Sequence, residues 1–464
     1  MPIQLSQSPA TPFDMAYGAN PVTLSGITVA QDKYVLQLYR NNQLIGDLRQ
    51  AANAQNCAIF DIQNVLQNFV APSPSNVEEI GFLGDPLLIS NNETCEYTIK
   101  WGSETSGVVT IEAASQIRVV FGGTKPYYAV PYSPAQFIPQ VEMQGPCTTV
   151  RKPARVFSDQ LDYRLANTIT DGKPSWLTDT QRVYEHYVTT DDMTTISYYN
   201  KPTLTNNVPT NAKSIEAFLY WQYDANDQLI GGAPTVQYNI QIDGGGPNQV
   251  PGAGTQVAYP YYAITAATGP ANFQDFNVNC KYYYVTTGVY TYPNGCVSEI
   301  SGIADASLHD VHRFNIIDGE CNDYSSIQVS WLNSYGFRDY YTFRKRHDRN
   351  INISRNNYLR EAADYNSGSY QVSINDRGTT TYSQKLEQEF TAFTGFLTDT
   401  EALFLEKLFT SPDVKVRFEG ENGNRWVPVT LINTTYVEKT VRKDKLFQYD
   451  IRFKIAHNIK SQRG

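Results

Sequence analysis

Residues 446–455 read Leu-Phe-Gln-Tyr-Asp-Ile-Arg-Phe-Lys-Ile, a run with a strict period of two. Phe447, Tyr449, Ile451, Phe453 and Ile455 fall on one side, and Gln448, Asp450, Arg452 and Lys454 on the other. Successive side chains of a strand point to opposite faces, so this run has one dry face and one polar face. A helix would scatter both sets around its axis. The same grammar recurs along the chain. It predicts a mainly β protein, built of several immunoglobulin-like sandwiches and a C-terminal α+β domain carrying one short helix.

At 464 residues the chain is too long for one ordinary core, and roughly three domains are expected. The first, residues 1–150, is expected to be a β-sandwich with one short helix and an N-terminal arm or edge strand over the first two dozen residues. Residues 34–40 read as a strand, Asn41-Asn42 as its turn and 43–46 as the return, which makes a hairpin. Asp61 precedes Ile62, Val65, Leu66 and Phe69, whose spacing lines one face of a helix that Asp61 can cap and that Pro72 and Pro74 cannot continue. Strands follow at 96–101, 108–112 and 117–121.

The second domain, 151–310, reads as strands and long loops in an immunoglobulin-like arrangement, with a two-sided strand at 214–223 and another at 281–285. The fragment 218–231 echoes the hairpin at 34–46 too briefly to establish a duplication. In the third domain, 311–464, strands are expected at 326–332 and 338–343, then at 414–418 and 427–432, ending with the closing strand. Thr398 with Glu401 three residues later is a capping box. Ala402, Leu405, Leu408 and Phe409 then share a helical face, and Ser411-Pro412 ends the helix.

Composition narrows the functions. Charged residues make up 18% of the chain, below the usual quarter, and polarity comes instead from Asn, Gln, Thr, Ser and 33 Tyr. Tyrosine buries a large ring yet keeps a hydroxyl for a partner, which suits sheets and protein interfaces. The formal net charge of −9 argues against a phosphate-gripping protein, which needs a basic stripe, and an acidic wall would let DNA slide past. The one dense basic stretch, 343–349, reads as a strand end or salt-bridged edge, with nucleic-acid contact as the sharper reading. The start of the chain lacks a basic region followed by an apolar core, and no apolar run is long enough for a membrane span, so synthesis in a cytosol and no membrane partner are expected. On that expectation the sequons at Asn92, Asn352 and Asn433 carry nothing.

No motif points to chemistry. The six cysteines, at 57, 95, 147, 280, 296 and 321, contain no CxxC pair and are read as reduced thiols, although Cys280 and Cys296 flank an apparent turn at 292–295 and could face each other. The Gly/Pro loop at 243–254 lacks the Gly-Lys-Ser/Thr and helix start of a phosphate cradle. His309 and His312 are two histidines three apart in a chain with only His186, His347 and His457 besides, so a surface loop is the better reading than a metal site. Asp191-Asp192 and Asp159 with Asp162 could serve acid–base chemistry, but such pairs are common. Tyr259-Pro260-Tyr261-Tyr262 and Tyr282-Tyr283-Tyr284 could stack sugars; sheet packing or a protomer interface is the plainer role. No catalytic, cofactor-binding or metal-ligating residue is assigned, and no cofactor is expected.

Three stretches carry a resemblance. They are 18–22 with 34–46 and 60–66; 329–343, Val-Ser-Trp-Leu-Asn-Ser-Tyr-Gly-Phe-Arg-Asp-Tyr-Tyr-Thr-Phe; and 395–412 with Trp426-Val427-Pro428-Val429. Together they resemble structural proteins of tailed bacteriophages that infect Bacteroidota, including the crAss-like phages. Tyr335-Gly336-Phe337 carries one glycine where the resemblance leads one to expect two. The resemblance covers the N-terminal domain and the last third and leaves the middle unassigned. It implies a virion protein without enzymatic activity: one subunit of a homo-oligomeric ring in the tail, neck or baseplate. Its expected partners are copies of itself, adjacent tail or portal and neck proteins, and DNA passing through the lumen without sequence-specific binding. The alternative is a receptor- or carbohydrate-binding module at the tail tip, which the tyrosine clusters suggest. Stray carboxylates alone would suggest a depolymerase.

Overall fold

A computed structural model describes residues 3–8, 14–18, 20–27, 32–73, 87–90, 92–122, 177, 183–200, 214–238, 262–273, 275–290, 311–317, 325–359, 363–364, 368, 371–372, 378–418, 425–433, 448–456 and 461–463. The protein is mainly β, with one helix of substantial length among these residues. It divides into two compact units. One comprises Met1–Glu320 with Leu332–Asp339, and the other Cys321–Trp331 with Tyr340–Gly464.

The first unit begins with two sheets that share a core. Gln4–Gln7, Pro21–Ser25 and Cys57–Asp61 form one, with Gln4–Gln7 as an edge strand. Asp14–Met15, Val108–Val120, Thr94–Thr105, Lys33–Arg40 and Gln43–Ala51 form the other, in that order. Val22, Leu24 and Phe60 from the first join Leu36, Leu38, Tyr97 and Ile99 from the second in one cluster of buried side chains. The hairpin at Asn41-Asn42 forms as expected: both residues have positive φ (48° and 64°), the condition for the two-residue turn whose twist matches its strands.

Two expectations here need correction. Residues 108–112 and 117–121 belong to one strand, Val108–Val120, because Ala113 to Gln116 stay paired with Thr98 to Trp101. The helix after Asp61 is one turn, Gln63–Leu66, followed by a tighter turn, Gln67–Phe69. Ile62, not Asp61, occupies the cap position, and Asp61 ends a strand while its carboxylate accepts the Gln63 N–H at 3.1 Å.

The other part of this unit is a two-sheet arrangement. Val183–Val188, Val311–Ile316, Tyr282–Tyr290, Ser214–Tyr223 and Thr235–Tyr238 make a five-stranded sheet, with the first pair parallel and the rest antiparallel. Thr195–Asn200, Tyr262–Ala267 and Leu87–Ser90 make the second sheet. Residues 218–223 of strand 214–223 are buried on both faces, in keeping with the two-sided sequence pattern. Phe218 and Tyr220 enter the core shared with Ile196 and Ile264, while Leu219, Trp221 and Tyr223 pack on the reverse side with Tyr282, Tyr284 and Val311. Buried tyrosines tie the two sheets: the Tyr220 hydroxyl donates to the Ala267 carbonyl at 2.6 Å and that of Tyr283 to the Thr268 carbonyl at 2.5 Å. Each supplies a partner that a buried carbonyl would otherwise lack.

The second unit is organised on an eight-stranded sheet in the order Arg338–Phe343, Ile327–Leu332, Val414–Phe418, Val427–Leu431, Asp450–Ile455, Thr379–Phe393 and His347–Leu359, with Ser461–Arg463 also on Thr379–Phe393. The helix Asp399–Thr410 carries the expected capping box at Thr398 and Glu401. Its buried residues are Ala402, Phe404, Leu405 and Leu408, whereas Phe409 is only half-buried. Phe404 packs on Trp331, ring centroids 5.0 Å apart. The closing strand begins at Asp450, with Ile451 and Phe453 buried and Arg452 exposed. Residues 446–447 lie outside the described residues. The pair His347–Leu359 and Thr379–Phe393 is not foreseen by the sequence reading.

Two glycines are required by close approach. A Cβ on Gly102 would lie 1.9 Å from the Thr110 carbonyl oxygen, beside the bulge at Trp101 and Gly102. Gly336 has φ +87° and lies against Phe121. It closes a turn in which the Asn333 side chain accepts the N–H groups of Tyr335 and Phe337, each at 3.0 Å. One glycine is therefore enough for the 335–337 turn. Chemical denaturation is expected to show Gly102→Ala destabilised by about 2 kcal/mol or more. Gly378→Ala, with nothing within 4 Å of the new methyl, should stay within about 0.5 kcal/mol of the parent.

Candidate interaction surface

The residues singled out for chemistry go to structural duties or lie outside the described residues. The loop 243–254, Asp159, Asp162, His309, Tyr259 and Tyr261 lie outside. Asp192 is buried, and its carboxylate accepts the Thr189 N–H at 2.9 Å while its own N–H donates to the Thr189 carbonyl. Asp191 beside it is exposed, so the two carboxylates do not converge. Tyr282, Tyr283 and Tyr284 are buried in the five-stranded sheet and offer no stacking platform. Cys280 is buried, its thiol donates to the Tyr282 carbonyl at 3.2 Å, and burial pushes its pKa up to about 12. Among the described residues no three His, Cys, Asp or Glu side chains are placed to share a metal ion.

His312 does find another histidine. The parallel pairing of 183–188 with 311–316 brings His186 Nε2 to 2.9 Å from His312 Nδ1. Tyr184, His312, His186, Phe314 and Tyr283 then stack in series across the sheet, with successive ring centroids 4.4–5.3 Å apart. Burial holds the His312 pKa down to about 3, so the ring is neutral and the pair works as a hydrogen-bonded strut. On the other face, Arg313 lies over the Tyr282 ring at 4.4 Å and near Glu185 at 3.7 Å. An unfolded histidine binds its proton near pH 6.5. Stability from a neutral, buried His312 is therefore complete above about pH 6.5 and declines as pH falls toward 3. Thermal melts are expected to show Tm dropping between pH 7.5 and 5, with a shallower drop in His312→Phe. An equal slope in both proteins would rule out this linkage.

A long exposed feature among the described residues is the hairpin of His347–Leu359 and Thr379–Phe393. Its strands pair antiparallel from His347 with Ala392 to Leu359 with Thr379, with one irregularity at Asn356 and Asn357. Thirteen residues of strand span roughly 43 Å. From Arg349 to Leu359 every residue of the first strand is exposed, and that strand is the edge of the sheet. The expected basic strand end at 343–349 is its root: Phe343 is buried, and Arg346 pairs with Asp348 at 2.9 Å.

The two faces of the hairpin differ. Cross-strand partners share a face, so Arg349, Ile351, Ile353 and Arg355 lie with Phe390, Gln388, Leu386 and Gln384. Phe390 is buried in the body of the unit, against Phe418 and Phe453. The dry face of the sheet therefore runs on past the core, where Ile351 and Ile353 are each 50% exposed. The opposite face holds Asp348, Asn350, Asn352 and Ser354 with Thr391, Glu389, Glu387 and Lys385. There Lys385 pairs with Glu387, which lowers the Glu387 pKa, and Lys454 stands opposite Glu389. At the root, Lys345, Arg346, Phe393 and Phe396 line a concavity of about 450 Å³, with Phe396 73% exposed. The Asn350-Ile351-Asn352-Ile353 alternation was the available signal for this strand. No protein-family model and no curated protein matches the chain.

Proposed function

We propose that this chain is a structural subunit of a tailed-bacteriophage virion, assembling with copies of itself into a ring in the tail, neck or baseplate around the DNA conduit. The observation that carries this reading is the long edge hairpin, whose dry face extends beyond its own core. A monomer gains nothing from exposing such a stripe, whereas an interface buries it. A ring needs rigid subunits with two different surfaces that meet head to tail, and shared-core sheets with inter-sheet tyrosine bonds provide rigid bodies. The phage assignment within the assembly class rests on the resemblance of the three stretches named above. Two sheets packed on one core support reading the middle domain, expected at 151–310, as immunoglobulin-like. Under this reading the acidic balance of the chain suits a lumen that DNA traverses.

Sedimentation of the purified full chain is expected to show a concentration-dependent oligomer, electron micrographs closed rings, and mass spectrometry of purified virions this polypeptide. A monomer at every concentration, together with absence from virions, would overturn the reading.

A further inference from the structure

We infer that the dry face of the hairpin, centred on Ile351 and Ile353 between Arg349 and Arg355, is the surface that binds a second copy of this chain. The inference rests on the assembly reading above and names the contact that would carry it. Its first ground is continuity. Phe390, Phe453 and Ile451 form the dry face inside the body, and Leu386, Ile353 and Ile351 continue the same face outside it. A stripe of half-exposed isoleucines on a projecting strand is costly to leave wet.

The second ground is charge. Arg349 rests over the Phe390 ring with 5.8 Å to the centroid, and neither Arg349 nor Arg355 has a carboxylate partner among the described residues. The paired residues on that face, Gln384, Leu386, Gln388 and Phe390, add no acid. The face is thus apolar and cationic, and it calls for an occupant that brings carboxylates. The chain itself has 46 acidic against 37 basic residues, so the surface of a second copy meets that requirement. The reverse face has its charges matched internally, Lys385 with Glu387 and Asp450 with Arg452, and has no such demand.

The third ground is how the edge protects itself. Antiparallel pairing of strand 347–359 with its own copy would align Ile351 with Ile353 when centred on Asn352. That register sets Arg349 directly against Arg355, and like charges directly opposite are unfavourable. The register that would join the isoleucines edge to edge is therefore disfavoured, and packing of the cationic apolar face on an acidic surface joins unlike surfaces, as a closing ring requires.

The test is sedimentation velocity on the full chain over a concentration series, comparing the parent with R349E/R355E, I351T/I353T and, on the reverse face, N350S/N352S. Threonine keeps the β-branched shape that strands favour, and far-UV circular dichroism checks that each variant is folded. The first two variants should weaken self-association by about tenfold or more, and N350S/N352S should leave it unchanged. Raising salt should weaken the association of the parent and of I351T/I353T alike, and should not weaken that of R349E/R355E. An oligomer in the parent that survives both face variants intact would overturn this inference and leave the assembly reading standing. A parent that never associates would overturn both. A gel shift with a short random-sequence DNA duplex that R349E/R355E abolishes, while self-association stays intact, would assign the face to DNA and likewise overturn the inference.

Discussion

Phe390 fixes the second unit. Its ring stacks on Phe453 at 5.5 Å and lies 4.7 Å from Phe418, so one residue locks strand 379–393 to the closing strand and to the core. Because side chains alternate along a strand, a one-residue slip would turn every dry residue to the wrong face. Once Phe390 points inward, Leu386 and Gln388 are committed to the same side, and pairing commits Ile351 and Ile353 with them. The character of the exposed hairpin thus follows from a contact inside the body. In the first unit the comparable constraint is polar: Tyr220 and Tyr283 place hydroxyls on carbonyls of the facing sheet while their rings fill the core.

This division of labour explains why so many tyrosines are spent on burial. Tyr34, Tyr97, Tyr220 and Tyr283 are almost wholly inside, and each hydroxyl meets a backbone carbonyl: Asn56, Leu66, Ala267 and Thr268. The ring supplies apolar area and the hydroxyl satisfies a group that the sheet ladders leave over. The histidine strut between the parallel strands at 183–188 and 311–316 belongs to the same design, a polar pair accommodated inside an aromatic stack.

Much of the fold was legible because local and long-range preferences agree. Asn41-Asn42 meets the backbone demand of its turn, Thr398 and Glu401 cap their helix, and the Ile451-Arg452-Phe453 alternation matches the faces observed. Legibility failed where neighbours decide. Ala113 to Gln116 look like a break, but pairing with Thr98 to Trp101 carries the strand through. Within strand 379–393 the run Gln384-Lys385-Leu386-Glu387-Gln388-Glu389 consists of residues that favour helices in isolation, and cross-strand pairing overrides them. Strand 347–359 hides because it is exposed to solvent on both faces and its apolar side carries Arg349 and Arg355, so only Asn350 to Ile353 keep a period of two. The setting aside of the carboxylate pair at Asp191-Asp192 rested on how common such pairs are, because spacing in sequence says nothing about which side chain a turn will bury.

The account makes the hairpin face the part of the molecule that changes most between the free and the assembled chain. Amide hydrogen exchange on strands 349–358 and 381–388, followed from dilute to assembling concentrations, reads this directly. Fast exchange in the dilute chain that slows in the assembly is the expected result. Exchange at these amides that stays the same while protection appears elsewhere would contradict the account.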